Sequence, residues 1–165
     1  MKFRIEDTFK NITLEEYEKL HFDEEFNIAM CKAVKLSRDL KKVDDDGTTF
    51  HRAVLVGPDR VMPAAMKKVV KVDRIEYEER IDYKWGSYEA RWETIPNIMP
   101  NKVTTNGKLG FKEVPGGVLR WSEGEIKVKI LGVGGMVEKF IVADVEKSYV
   151  DAANFTQRWI DDHQD

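Results

Sequence analysis

The C-terminal third of the chain constrains the fold most, because it predicts one long amphipathic helix. Neither proline nor glycine interrupts the sequence between Gly135 and His163, so roughly 28 residues can form a rod of about 42 Å. At ~100° per residue, its apolar side chains share one broad face. These are Val137, Phe140, Ile141, Val145, Ala152, Phe155 and Trp159. No other segment predicts a helical partner of matching length, so we expect this face to pack against a sheet.

Three polar residues interrupt the apolar face of this helix: Asp144, Ser148 and, near its edge, Asp151. A close-packed core rarely accepts polar side chains without partners. Two interpretations stay open. The polar groups face a cavity that holds water or the polar end of a ligand, or they pair with neighbouring backbone groups or strand side chains.

Length and composition predict one folded domain over residues 1–165. The chain is long enough to bury a core, and its 42% hydrophobic and 35% charged residues are typical of a globular protein. A net charge of -3 without a basic block gives no electrostatic reason to expect nucleic acid. The single cysteine, Cys31, excludes an internal disulfide and fits a reducing compartment.

The N-terminal sequence indicates a cytoplasmic protein. The segment Met1–Glu6 lacks the apolar stretch of a secretory signal. No run approaches the ~18 apolar residues of a membrane-spanning helix. We therefore predict a cytoplasmic location.

The first part of the chain predicts one strand and two short helices. Apolar and polar residues alternate over Phe3–Lys10, which is typical of a half-buried strand. Thr13 and Glu16 have the spacing of a capping box, which predicts a helix start. Asp23 is placed as the N-cap of a second helix that runs to about Val34.

Between Lys35 and Ile130 the sequence predicts strands joined by hairpins. The clearest alternation runs over Ile75–Trp85, and Gly86-Ser87 predicts a turn into the next strand. We interpret Asn106-Gly107 as a bulge or bend within a strand and expect a register shift near Ser122–Glu125. The order is therefore β–α–α–β6–α. This predicts an α+β fold in which a curved antiparallel sheet of about seven strands wraps around the long C-terminal helix.

This order, together with two sequence segments, resembles the START-like (SRPBCC) superfamily. The segments are Gly132-x-Gly134-Gly135-x-x-Glu138 and Ala153-x-Phe155-Thr156-x-x-Trp159. The superfamily includes polyketide cyclase and dehydrase-like proteins, the birch-pollen allergen fold and lipid-transfer domains, and the closest likeness is to an uncharacterised bacterial branch. The resemblance covers nearly the whole chain. It implies a helix-grip fold with a cavity that binds a lipid, isoprenoid, sterol or polyketide, but it supplies no catalytic set.

The candidate cavity residues centre on Glu79, which lies in register with apolar and aromatic residues on one strand. We predict that Glu79 faces the cavity and meets a ligand hydroxyl or a basic partner, Arg52 or Arg120. The alternative is an edge position or shifted register that leaves Glu79 in water. The full candidate set is Tyr77, Glu79, Tyr83, Tyr88, Trp92, Arg120, Phe140, Ile141, Asp144 and Ser148. Plain core packing explains the aromatic members equally well.

Two loop segments are candidates for the cavity mouth. Their apolar members are Met62, Met66, Ile98 and Met99, and Lys67-Lys68 stands beside them. If these side chains are exposed, the mouth can make transient contact with a lipid surface. The alternative is a loop that folds over its own core.

Signatures of catalysis, metals or cofactors are weak. His21, His51 and His163 lie far apart and lack metal-ligand spacing, and we predict neither a metal nor a cofactor. The leading hypothesis is a non-catalytic carrier or sensor of an apolar ligand. One alternative is a cyclase- or dehydratase-like enzyme that uses Glu79, Asp144, Arg52, Arg120 or a cavity tyrosine as acid or base. A third is a co-chaperone-like domain that binds a partner helix and has a filled interior.

Overall fold

The computed structural model describes residues 1–59 and 61–164, and within them it shows seven strands and four helices. The strands are β1 (Lys2–Lys10), β2 (Leu36–Asp45), β3 (Thr49–Pro58), β4 (Tyr77–Lys84), β5 (Glu89–Pro96), β6 (Val103–Val114) and β7 (Gly117–Val128). The helices are α1 (Leu14–Phe22), α2 (Glu24–Ala33), α3 (Ala64–Val70) and α4 (Gly134–Asp162). Among these residues, no helix has the length and apolar content needed to cross a membrane.

The strands form one antiparallel sheet in the order β1-β7-β6-β5-β4-β3-β2. Strands β2 to β6 each pair with the next strand in sequence, while β1 pairs with β7. The sheet is open and curved, and the 29-residue helix α4 packs against β1 and β7. The predicted α+β architecture with a long C-terminal helix is confirmed.

The helix starts that the sequence predicts are confirmed by hydrogen bonds. The Thr13 side chain accepts from the backbone N–H of Glu16 at 3.2 Å, and the Glu16 carboxylate accepts from the backbone N–H of Thr13 at 3.3 Å. Asp23 accepts from the backbone N–H of Phe26 at 2.8 Å. Each cap satisfies donors that a helix terminus leaves free, so local sequence sets both boundaries.

Two local predictions are wrong, and one helix was not predicted. Strands β6 and β7 pair without a register shift through Asn106-Gly107 and through Ser122–Glu125. The Asn-Gly pair, a frequent turn signal, here lies within a continuous strand. Helix α3 was not predicted because it has only seven residues and its N-cap, Pro63, makes no side-chain capping bond.

Three features of the glycine–acid segment, residues 132–138, determine how β7 is connected to α4. Gly132 has φ +81°, a left-handed conformation that favours glycine. A Cβ atom on Gly134 would lie 2.3 Å from the carbonyl oxygen of Val128. Glu138, one turn into the helix, accepts the backbone N–H of Val128 at 2.9 Å. The segment therefore fixes the angle at which α4 leaves the sheet.

Buried apolar side chains form two clusters. The first cluster contains Phe9, Tyr17, Phe22, Tyr83 and Phe111 and lies under α1. The second cluster gathers α3, the β5–β6 loop and the start of α4; its members include Met62, Met66, Ile98, Val103, Ile126 and Val137. The space between the sheet and α4 is bordered by members of both clusters.

Candidate ligand-binding cavity

A cavity of about 410 Å³ lies between the sheet and α4. The helix contributes one continuous stripe to its wall: Phe140, Ile141, Asp144, Val145, Ser148, Tyr149 and Ala152. The steps of one, three and four residues keep these side chains on a single helix face. The two polar interruptions Asp144 and Ser148 therefore face the cavity, whereas Asp151 forms an ion pair with Lys147 at 2.9 Å.

The opposite wall comes from the sheet and from the two short helices. The apolar part of this wall includes Ile81, Trp92, Val103, Leu109 and Ile126 of the sheet and Ile98 of the β5–β6 loop. Helices α1 and α2 contribute His21, Asn27, Met30 and Cys31. Val61, whose surface is 91% exposed, also lines the cavity, so the cavity reaches the protein surface beside α3.

The structure brings together most of the residues that the sequence singled out. Those that line the cavity are Tyr77, Glu79, Trp92, Arg120, Phe140, Ile141, Asp144 and Ser148, together with the mouth residues Met62 and Ile98. Their role in binding a ligand stays a prediction.

Four other candidates lie elsewhere. Tyr83 is buried in the first cluster, where its hydroxyl donates to the carboxylate of Glu18. Tyr88 packs against the same cluster, and Met66 is buried in the second. Met99 is half-buried in the β5–β6 loop. Tyr83 and Tyr88 stand at the far end of the β4–β5 hairpin from Tyr77, because the two strands run antiparallel.

The mouth segments fold over their own core. Met62, Met66 and Ile98 are all buried, so these side chains are not available to a lipid surface. Within the Val61–Lys68 segment, all of which the structure describes, Val61 is the one large apolar residue with a strongly exposed side chain. The burial of these three residues therefore fits the alternative prediction, a loop that folds over its own core, and not an exposed apolar surface.

Glu79 and Arg52 form an ion pair on the cavity wall. Their strands β4 and β3 are neighbours, and Nη2 of Arg52 donates to Oε1 of Glu79 at 3.4 Å. Glu79 lies in a central strand, not at an edge. Arg52 is one of the two basic partners that the sequence suggested for Glu79.

Arg120 pairs with Asp7 on the adjacent strand. Nη2 of Arg120 donates to the Asp7 carboxylate at 2.5 Å, and the guanidinium lies 5.2 Å from the ring centre of Phe9 and 5.0 Å from that of Tyr149. Burial acts to lower the pKa of Arg120, but Tyr17, Tyr149 and Asp7 raise it above its usual value. Arg120 therefore remains a cation inside the protein.

Sequence reasoning missed several cavity residues. Tyr149 belongs to the cavity stripe of α4, and continuing the helical period through Phe140, Ile141 and Val145 would have found it. Arg38, on β2, also lines the cavity and donates from Nε and Nη2 to the two carboxylate oxygens of Glu24 at 2.9 and 2.8 Å. Its strand carries mostly exposed residues, so no apolar alternation marked it.

His21 provides a neutral imidazole in the cavity wall. Its ring packs 4.8 Å from the ring centre of Phe111 and 4.9 Å from that of Phe22, and Nδ1 lies 3.5 Å from the Tyr17 hydroxyl. Burial, together with the charges of Arg120 and Arg52, holds the pKa of His21 well below its usual range. Burial raises the pKa of Tyr17 to about 12, so neither group is charged at neutral pH.

The depressed pKa of His21 predicts a loss of stability in mild acid. Below about pH 6.5 this histidine is protonated in the unfolded chain but not in the folded chain. The free energy of unfolding therefore decreases as the pH is lowered, by up to about 1.4 kcal/mol per pH unit. Urea unfolding at pH 7.5 and 5.5 measures the loss, and the His21→Gln variant should lose about 1 kcal/mol less than the wild type over this interval. Equal losses in the two proteins would contradict the prediction.

The curved antiparallel sheet and the long C-terminal helix that packs against it define this chain's fold as one of the helix-grip class. The chain belongs to the family described as "Protein of unknown function (DUF2505)", whose model matches residues 7–160. No curated protein matches the sequence.

Solved structures share the fold at low sequence identity. A protein of Thermus thermophilus matches with a TM-score of 0.70 and 11% identity over 100% of both chains. The Zhui aromatase/cyclase of Streptomyces sp. R1128 matches with a TM-score of 0.67 and 10% identity, over 98% of this chain and 94% of that one. Protein Ms6760 of Mycobacterium smegmatis matches with a TM-score of 0.62 and 11% identity, over 96% of this chain and 89% of that one. At these identities the likeness establishes the fold alone.

Proposed function

We propose that this protein binds a hydrophobic or amphipathic small molecule in the cavity between the sheet and α4. The observation that carries the proposal is a cavity of about 410 Å³ whose wall is predominantly apolar on both the helix and the sheet side. Small-molecule sites typically measure about 300–1,000 Å³ and combine an apolar lining with a few polar groups. The START-like resemblance and the fold shared with an aromatase/cyclase support the same class of ligand.

The expected affinity comes from burial of the ligand. Each methylene that leaves water contributes roughly 0.8 kcal/mol, so a medium-length acyl chain binds usefully without any catalytic group. Phe140 and Ile141 on α4 line the cavity together with Ile126 and Trp92 on the sheet. These four side chains supply contacts for the apolar part of the ligand, and the polar groups near Arg52 fix the orientation of the ligand in the cavity.

The direct test is native mass spectrometry of freshly purified protein, followed by organic extraction. We expect an additional mass on a fraction of the molecules and a matching hydrophobic compound in the extract. Protein that carries no extra mass and takes up no lipid, isoprenoid or polyketide after incubation would exclude this function.

A tryptophan in place of Val145 should abolish ligand uptake. Val145 lies in the middle of the α4 stripe that lines the cavity, and an indole there would occupy the space of the ligand. We expect at least a tenfold loss of affinity, which corresponds to about 1.4 kcal/mol, in a fluorescence titration with a hydrophobic dye. Val150, which is 57% exposed on the same helix, provides the control: Val150→Trp should bind as the wild type does. Equal binding by both variants would contradict the location of the site.

A cyclase-like enzyme is a second candidate, favoured by the neutral His21 beside the cavity. A neutral imidazole can accept a proton from a ligand carbon next to a carbonyl group, while the charge of Arg52 or Arg120 stabilises the enolate oxygen. The imidazolium then returns this proton to a hydroxyl on the β-carbon, whose C–O bond breaks so that water leaves as the carbon–carbon double bond forms. Incubation of the extracted ligand with wild type and with His21→Gln distinguishes the two functions. Loss of water from the ligand with the wild type alone supports the enzyme, and an unchanged ligand supports the carrier. The co-chaperone-like alternative predicted a filled interior, which the cavity does not match.

A further inference from the structure

Arg52 occupies a position on β3 where its neighbours on the same face are apolar. Phe50, Val54 and Val56 alternate with outward residues and are buried. Arg52 shares their orientation, has only 5% of its surface exposed and lines the cavity. A buried guanidinium is costly unless acceptors replace the water that it loses.

The hydrogen bonds of Arg52 leave much of this guanidinium unsatisfied. The distance of 3.4 Å to Glu79 is near the outer limit of a hydrogen bond. Within residues 1–59 and 61–164, the buried Nε and Nη1 atoms of Arg52 have no hydrogen-bond partner. An arginine remains protonated at any physiological pH, so this cation must be matched by acceptors from elsewhere.

Arg52 differs in this respect from the two other buried arginines of the cavity wall. Arg38 makes two bonds shorter than 3 Å to the carboxylate of Glu24, and Arg120 makes one of 2.5 Å to Asp7. Both of these acids lie outside the cavity lining. Among these three arginines, Arg52 therefore has the charge most open to a partner inside the cavity.

Other cavity residues also present donors that lack acceptors. Within the part of the chain that the structure describes, the buried atoms without partners include Nε of Arg120, Nε of Arg74 and Nε1 of Trp92. All three residues line the cavity, and all three atoms can only donate a hydrogen bond. These donors favour a ligand that carries acceptor oxygens.

We propose that the ligand is an anionic amphiphile whose carboxylate binds Arg52 while its apolar chain lies between α4 and the sheet. This inference rests on the proposed function and adds the chemical class of the head group. Charge-assisted bonds from a guanidinium to a carboxylate are about twice as strong as neutral ones. They supply the acceptors that Glu79 does not provide.

A monoanionic carboxylate fits the cavity better than a dianionic phosphate. Asp73 and Glu79 also line the cavity, while the charges of the other described arginines in its wall are already paired with acids, Arg38 with Glu24, Arg74 with Glu76 and Arg120 with Asp7. A second negative charge on the head group would therefore be repelled by the two cavity acids without a further cation to match it. An alkyl carboxylate adds one negative charge near Arg52, whereas an alkyl phosphate adds almost two at neutral pH. Ligands that have the same alkyl chain but different head groups should therefore bind with different affinities.

Calorimetric titration of the whole protein with decanoate, decanol and decyl phosphate tests the head group. We expect decanoate to bind at least tenfold more tightly than decanol, with decyl phosphate weaker than decanoate. Equal affinities for decanoate and decanol would overturn the anionic head group while leaving the proposed function intact. Tighter binding of decyl phosphate would overturn the carboxylate. Binding of none of the three would overturn this inference, while the proposed function would still be decided by the native mass spectrometry and uptake experiment described above.

The Arg52→Gln variant tests the residue. It should weaken decanoate binding by about ten- to one-hundredfold and leave decanol binding unchanged, which also shows that the cavity is intact. Arg80→Gln, an equal change of charge on the outer face of β4, should bind decanoate as the wild type does. If Arg52→Gln does not fold, the charge-balanced variant Arg52→Gln/Glu79→Gln replaces it. Equal losses for decanoate and decanol, in either variant, would contradict the assignment of Arg52.

Discussion

Replacement of Gly107 by alanine should destabilise the protein by about 3 kcal/mol or more, at the upper end of the cost of overpacking. Gly107 on β6 pairs with Trp92 on β5 and with Gly124 on β7, and Gly124 pairs with Phe3 on β1. The Trp92 indole extends over both glycines and stacks on Phe3 at a ring separation of 6.0 Å. A Cβ atom on Gly107 would lie 2.0 Å from the carbonyl oxygen of Glu123 and 2.6 Å from the indole. Backbone and ring would both have to move.

Urea unfolding measures this effect, and Gly135→Ala provides the matched control. Gly135 lies in the first turn of α4, and no atom of the residues that the structure describes stands within 4 Å of a Cβ atom built there. Alanine at a helical position is better than glycine by about 0.5–1 kcal/mol, so the control should be neutral or slightly stabilised. A Gly107→Ala protein within about 0.5 kcal/mol of the wild type, an ordinary surface effect, would refute the close fit of indole and strands.

The same residues explain why the sequence predicted the sheet but not all of its details. Alternation and capping are local signals, so β4, the capping box at Thr13 and the long helix could be identified from neighbouring residues alone. The role of Asn106-Gly107 depends on an indole from another strand. A turn signal and a space left for a ring look identical in sequence, because both require glycine.

Those cavity residues whose position follows from the period of a single helix could be predicted from the sequence. Asp144 and Ser148 interrupt the apolar face of a single helix, so the helical period alone places them on that face, where they line the cavity. His21 and Arg38 reach the cavity from α1 and β2, and their positions depend on how those elements pack. Tyr77, Tyr83 and Trp92 share one face of β4 and β5, and Tyr88 precedes β5, but position along the hairpin separates Tyr77 and Trp92, which line the cavity, from Tyr83 and Tyr88. Alternation reports the face of a strand and not the distance along it.

Asp7 illustrates the same limit and leads to the second large effect. It lies on the apolar side of β1, where the alternation of Phe3, Ile5 and Phe9 gives no reason for an acid. The reason is Arg120, which faces it from β7. The two side chains are 16% and 8% exposed, so most of this ion pair lies away from water.

Replacement of Asp7 by alanine should therefore cost about 3–5 kcal/mol of unfolding free energy, because it leaves a buried cation without its counter-ion. The double variant Asp7→Ala/Arg120→Met removes both charges and should recover most of that loss, since a buried ion pair and an apolar pair of similar volume often have similar stability. Chemical denaturation of the wild type, the two single variants and the double variant provides the cycle that isolates the interaction. If Asp7→Ala and the double variant lose the same free energy, the pair does not govern stability at this site. Recovery in the double variant would show that Asp7 is present to neutralise Arg120 at the cavity wall.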